Sequence, residues 1–418
     1  MSAQSLTDVP TRLNSLEIAR EHVVSRALAP SVTGLVGLEL EFHVVDRHRP
    51  AARVEWSRLM TVLDRLPALE DGSRVTVEPG GQVELSTPPL AGVASAVHAL
   101  QRDAAALAEA LAADGLLLAS VGADPAREVR RMSPGGRYVA MERHFASIGA
   151  AEPGLAMMCA TAALQINLDA GPESGWAARV ALMHRLGPVL VAISACSPLI
   201  AGHASGWRSM RQQVWGQIDR ARCGPLLDGR EPAAQWARYA LVAPVMLTRD
   251  PETATIRPVT RRVPFAAWVS GEAELAERRP TTTDLDLHLT TLFPPVRLRG
   301  FLELRCVDAV PTRWWPGLAG LVVTLLDDPR AADVAAEAAQ PVAGAWEAAA
   351  RDGLRDPGLA RAAARCAEVA VQRCPTDLRP QVESYAELIA DRRSPGDELE
   401  TRAAATSPLR SLEEEAGA

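Results

Sequence analysis

No lysine occurs anywhere in the 418 residues; all 44 basic side chains are arginine. The absence removes a Walker-type Gly-Lys phosphate loop, a Schiff base and a catalytic lysine. Any phosphate must then be held by arginine, backbone N–H groups or a metal. Other signatures are missing as well. The six cysteines form no Cys-x-x-Cys pair and sit mostly in apolar surroundings, so they read as reduced core thiols of a cytoplasmic protein. No His-x-x-x-His spacing supports zinc, and no Ser-His-Asp or Cys-His arrangement stands out. The first twenty residues lack a basic-then-apolar leader. The longest apolar run, 186–202, is interrupted by Pro188 and Pro198 and reads as a buried helix, not a membrane span. A net charge of −7 argues against a nucleic-acid binder.

What is present is the composition of a globular protein, with 48% hydrophobic and 23% charged residues. Intermixed strand and helix patterns predict an α+β fold. Helices are expected near 14–29, 91–113 and 174–196, and throughout an Ala-rich region after about 314. Strands are expected at 36–45, on both sides of the Pro-Gly-Gly turn in 73–89, at 115–125, before 170 and over 301–311. Segment 130–145, rich in Arg and Gly, reads as a mobile loop. Without an internal repeat or a linker, residues 1–395 read as one catalytic domain whose part from about 315 is helical. Residues 396–418 read as a polar tail prone to disorder.

One design recurs in four of these strands. In "GLELEF", Leu38, Leu40 and Phe42 alternate with Glu39 and Glu41. Glu78 and Glu84 flank the Pro-Gly-Gly turn. Gln165 and Asn167 alternate with Leu164, Ile166 and Leu168, and Glu303 and Arg305 alternate with Leu302 and Leu304. Period-2 geometry puts the polar members of each alternating strand on one face. If the strands share an antiparallel sheet, that face is a bed of acceptors with an arginine among them, and the apolar face packs on helices. Crowded, unpaired carboxylates cost on the order of several kcal/mol each to desolvate. Hard divalent cations remove that cost, and Mg²⁺ usually shares oxygen ligands with substrate phosphates. Five glutamates exceed what one Mg²⁺ needs, so two or more ions on a nucleoside triphosphate is the economical reading. Taken singly, each element also has an ordinary explanation as a solvated strand face, a turn or a cross-strand ion pair. His43 shares the face of Glu39 and Glu41 by period but reads as a packed imidazole. Trp207, Trp215, Trp314 and Trp315 read as core or pocket wall.

These motifs, in order, resemble the glutamate–cysteine ligase family of the plant and bacterial type. The resemblance rests on "GLELEF", "EPGGQVELS", "RYVAMERHFASIGAAEPGLAMMCATAALQINLD", "GWRSMRQQVWGQIDRARCGP" and "DLHLTTLFPPVRLRGFLELRCVDAVP", and spans roughly residues 35–315. The last block, with His288, Thr290, Thr291 and the Leu-Glu-x-Arg-x-x-Asp run, is the most specific. The Lys-free composition and the Gly-Trp-Arg-Ser run look most like the actinobacterial members that serve ergothioneine synthesis. The resemblance implies a glutamine-synthetase-like catalytic sheet, curved and antiparallel. It implies ATP as co-substrate, with L-glutamate and L-cysteine joined through a γ-glutamyl phosphate to give γ-glutamylcysteine.

By matching motif, Glu39, Glu41, Glu78, Glu84 and Glu303 become Mg²⁺ ligands. Gln165 is a ligand or neighbour where more distant members place a histidine. Arg305 contacts the transferred phosphate beside Glu303. Arg208 and Arg211 hold substrate carboxylate or phosphate, and Arg137, Tyr138 and Asn167 lie near the substrates. Cys306 replaces a glycine common in plant-like members, and period 2 sends it to the apolar face. The readings left open are a ligase that joins glutamate to another amine, a metal-dependent hydrolase, and a non-catalytic nucleotide or amino-acid sensor.

Overall fold

Alternation in Leu35–Asp46 produces the longest strand, β1, and the rest of a single sheet assembles around it. The computed structural model describes residues 11–225 and 231–417, so the first ten residues of the expected 1–395 unit and the last residue of the expected tail lie outside the described residues. The other strands are β2 (Arg74–Val77), β3 (Val83–Ser86), β4 (Leu90–Ala91), β5 (Leu116–Ala119), β6 (Leu164–Leu168), β7 (Val296–Leu298) and β8 (Leu302–Leu304). They run in the order β7-β8-β6-β1-β3-β2, with β4 and β5 also on β1, and every pairing is antiparallel. The predicted strand at 301–311 is therefore only three residues long. Arg305 already leaves the ladder, its N–H bonded to the Pro295 carbonyl at 2.8 Å.

Leu38, Leu40, Leu85, Leu164, Ile166, Leu302 and Leu304 fill one face of the sheet and are fully buried. Burying each such side chain is worth about 1.5–3 kcal/mol, which fixes the register and so the polar face opposite. Helices α1 (Gly92–Ala113), α4 (Trp176–Ser194) and α6 (Trp315–Asp327) close this core. Helix α4 belongs to the one described helical stretch long and apolar enough to cross a membrane, but 67% of its apolar window is buried in the protein. It is packed so closely that a Cβ on Gly187 would sit 2.0 Å from the Trp346 ring.

The polar face is roofed by α2 (Gly136–Ser147), α3 (Ala151–Ala160) and α5 (Met210–Ile218) around a smaller core of Met141, Phe145, Met157 and Val214. The expected mobile loop at 130–145 is thus helical from Gly136 onward. Buried Met141 and Phe145 anchor it, four residues apart on one helix face. The expected disordered tail is also a correction. Residues Pro395–Ala405 (α7) and Pro408–Ala416 (α8) are helices. Ser394 and Asp397 form a capping box, and Leu399 and Leu412 are fully buried, with α8 packed on β5. Composition misled because two leucines and a set of ion pairs hold this segment, not an apolar stripe.

Candidate active site

Strand register arranges the polar face in rows. Arg297 of β7 stands opposite Glu303 of β8, which stands opposite Asn167 of β6. In the next row Gln165 of β6 faces Glu39 of β1, which faces Ser86. In the third, Glu41 faces Glu84 of β3, which faces Thr76. Two carboxylates directly opposite are a repulsive cross-strand pair. Glu78 joins them from the turn between β2 and β3. That turn is closed by the Gly81 N–H on the Glu78 carbonyl at 2.9 Å, with Gly81 at φ +85°. Gly80 must be glycine, because a Cβ there would lie 2.2 Å from the Cys159 carbonyl oxygen.

Glu39, Glu41, Glu78, Glu84 and Glu303 all line one cleft of about 230 Å³, together with Gln165, Arg137, Tyr138, Arg211 and Arg305. Among the described residues Glu39, Glu41, Glu78 and Glu84 form no ion pair. Glu39 accepts from Asn167 Nδ2 at 2.9 Å, Glu41 from the Ala163 N–H at 2.8 Å, and Glu84 from Thr76 Oγ1 at 2.8 Å. Burial, then the charges of Glu84 and Glu303, push Glu39 up to about 7; burial and Glu84 do the same to Glu78. Glu41 is raised well above the usual range by burial and by Glu78 and Glu84.

Glu303 is different in kind. It is fully buried, and Arg297, Arg299 and Arg305 all pair with it, the last two at 3.2 and 3.3 Å. Burial alone would raise its acidity constant, but Arg297 and Arg305 outweigh burial and hold it well below the ordinary carboxylate value. Arg305 also donates to Gln165 Oε1 at 2.5 Å. Arg297 and Arg299 were missed in the sequence. The available signal was the alternation of "VRLRG" ahead of the Gly300 turn, which puts Arg297 in the Glu303 row.

The other predicted residues divide. Arg137 lines the cleft and donates to Thr290 Oγ1 at 2.9 Å, and burial pushes the neighbouring Tyr138 up to about 12. Arg211 is in place. Arg208 is not: it is buried on the far side of the same segment, bound to Asp397 and, at 2.6 Å, to Glu400 of α7. Asn167 spends its amide on Glu39 and does not line the cleft. His43 lies under the Glu78 turn in a separate small space with Arg53, Gln82 and Arg127. Trp215 is a cleft wall, edge-on to Phe293 at 5.3 Å. Cys306 is buried in the apolar core, as its period predicted.

The donor set suits a hard divalent cation, since four oxygen-only side chains without a counter-charge converge on one cleft. Among the described residues no three of them close on a single point as a ready-made metal cage. Mg²⁺ normally completes its shell with water and substrate phosphates, so an open half-site is the arrangement it uses.

Residues 35–414 match the model of glutamate–cysteine ligase family 2. The chain is 51% identical over 399 residues to glutamate–cysteine ligase EgtA of Mycolicibacterium smegmatis, covering 95% of this chain and 94% of that one. It is 50% identical over 386 residues to EgtA of Mycobacterium tuberculosis, covering 92% and 89%. Among solved structures it resembles the glutamate–cysteine ligase of Francisella tularensis in complex with AMP. The TM-score is 0.54 at 12% identity, with 93% of this chain and 88% of that one covered, a likeness of fold. With nearly the whole chain matched, this protein belongs to glutamate–cysteine ligase family 2.

Proposed function

We propose that the chain joins the γ-carboxylate of L-glutamate to the amino group of L-cysteine at the expense of ATP, giving γ-glutamylcysteine for ergothioneine synthesis. The observation that carries the reading is the sheet face itself, with four unpaired carboxylates beside a cluster of three arginines around Glu303 and no side-chain nucleophile. An acyl-phosphate route needs no such nucleophile. The glutamate γ-carboxylate attacks the γ-phosphorus and ADP leaves; the cysteine amine then attacks the acyl carbon, and phosphate departs with the bonding pair. The chain's part is to position and neutralise.

In this reading the fold is the glutamine-synthetase type. Glu39, Glu41, Glu78 and Glu84 hold Mg²⁺, two or more ions, with Gln165 at their margin. Bound there, Mg²⁺ neutralises triphosphate charge and aligns it for transfer. Glu303 serves this centre chiefly as the anchor that aims Arg305 and Arg297 across the face, where a planar donor fork meets the transferred phosphate. Arg137 and Tyr138 border the opening above Glu78.

The test is an amine screen on the purified chain. ADP release is expected only when glutamate, cysteine, ATP and Mg²⁺ are all present. Equal release with glycine or cysteamine in place of cysteine overturns the amine assignment, and no release with any amine favours a sensor.

A further inference from the structure

Behind the cleft lies a buried polar shell that the reaction as described does not use. Asp308, at the end of the Leu-Glu-x-Arg-x-x-Asp run, has no solvent exposure. Its Oδ2 accepts from Ser197 Oγ at 2.7 Å and from the Cys196 N–H at 3.0 Å, and its Oδ1 accepts from Ser209 Oγ at 2.9 Å. Gly122 leaves room for it, since a Cβ there would lie 2.7 Å from the carboxyl. The cation that faces this carboxylate is Arg211, with Nη1 at 3.7 Å from Oδ1.

Arg211 is itself held at three points. Its backbone N–H donates to Ser197 Oγ at 3.0 Å, Nη2 donates to the Arg305 carbonyl at 2.8 Å, and the guanidinium lies 5.8 Å from the Trp215 ring centre. Yet Nη1 is buried without a hydrogen-bond partner while the side chain lines the cleft. An unmade hydrogen bond on a buried charged group costs about 1–3 kcal/mol or more, so a free donor held this firmly calls for a ligand. A buried ion pair is also a poor source of stability compared with apolar packing. Its use here is geometric: Asp308 cancels the charge of Arg211 and fixes the plane of its fork.

We propose that Asp308, with Ser197 and Ser209, is a positioning residue that presents Arg211 Nη1 to the carboxylate of an amino-acid substrate. The assignment rests on the ligase reading. A carboxylate suits the site better than a polyphosphate, because the Arg211–Asp308 pair is neutral overall and offers a single open donor. The shared chemistry is an α- or γ-carboxylate, from glutamate or from cysteine.

The experiment measures KM for each of the three substrates and kcat, on the full chain, for Arg211→Lys, Asp308→Asn and the double variant. Both single variants are expected to raise KM for the same one amino acid by about tenfold, roughly 1.4 kcal/mol. KM for ATP should stay within about twofold, and the double variant should be no worse than the weaker single, the mark of one coupled unit. Which amino acid responds identifies the source of the carboxylate. Multiplying effects, a rise confined to ATP, or an equal rise for all three substrates overturns the proposal. If Asp308→Asn does not fold, Ser209→Ala removes one bond to Oδ1 and should move the same KM in the same direction; an unchanged KM there overturns it too. Should the wild-type chain fail to ligate cysteine, the reading has failed and not this inference. Calorimetric titration of glutamate and of cysteine against the same variants then decides it, with unchanged affinity for both as the refuting outcome.

Discussion

Replacing Glu39 by Gln should make the metal-free protein more stable and the enzyme inactive. The substitution is nearly isosteric, and the Gln carbonyl oxygen can still accept from Asn167 Nδ2, now 2.9 Å from the carboxylate. What disappears is a buried negative charge that burial, Glu84 and Glu303 push from 4.5 up to about 7. For an acid whose folded value is raised, the folded state binds more protons, so stability is complete below about 4.5 and is lost as pH rises through about 7. That displacement corresponds to roughly 3 kcal/mol at pH 8. Since Glu78, Glu84 and Glu41 keep repelling one another, the share that Gln recovers is about 1–3 kcal/mol. Urea unfolding with a chelator at pH 8 should therefore favour the variant, and at pH 5 the gain should shrink to under about 1 kcal/mol. Saturating Mg²⁺ should reverse the order, because a ligand at a hundred times its Kd adds about 2.7 kcal/mol to whichever protein binds it. A variant less stable than wild type in chelator at pH 8, or one stabilised by Mg²⁺ as much as wild type, refutes the cation-bed reasoning.

Two more predictions follow from where side chains landed. Arg208→Ala should leave all three KM values within about twofold and instead lower stability by about 1–3 kcal/mol, because it strands Asp397 and Glu400 on α7. Faster protease cleavage in 390–417 is the readout, and a selective rise in one KM would return Arg208 to the cleft. His288→Gln should blunt acid sensitivity. Burial, then Arg222, lowers His288 to about 3, so it folds neutral and the unfolded chain takes up its proton below about 6.5. Stability tied to this group is complete above that value and falls with pH by up to about 1.4 kcal/mol per pH step down to about 3. Wild type should lose more stability than the variant between pH 7 and pH 5, as seen by urea unfolding; parallel losses refute the assignment.

The acid bed was legible because a strand repeats every two residues, so Glu39, Glu41, Glu84 and Glu303 declared their face before any partner was known. Period also placed Cys306 correctly and kept His43 under suspicion. It failed where strands end. Asp308 lies past Leu304, the last residue of β8, so its burial behind Arg211 could not be counted off from Glu303. Arg208 and Arg211 lie at the entry to α5, where neither the strand nor the helix period applies, and only the fold could send one to α7 and the other to the cleft. Arg297 and Arg299 were hidden by the brevity of β7. The C-terminal helices were lost to composition, which records charge but not the partner of each charge.

Register also sets how many substrates the face can serve. Glu303 and Glu84 are separated by three strand spacings along β8-β6-β1-β3, about 14 Å at about 4.8 Å each. The two ends differ in sign. Around Glu303 the three arginines exceed the carboxylate by two charges, whereas Glu41, Glu78 and Glu84 at the other end have no counter-charge among the described residues. A lone amino acid is too short to satisfy both ends, and a metal ion alone would leave the arginine end unanswered. A nucleoside triphosphate laid along the face with its cations toward β1 and β3 meets both. An amino acid then has to enter from the side where Arg211 waits, between the two ends and beneath α5. The sheet thus brings the phosphate and the carboxylate together by spacing alone, and an antiparallel register one residue out of step would move every one of these side chains to the buried face.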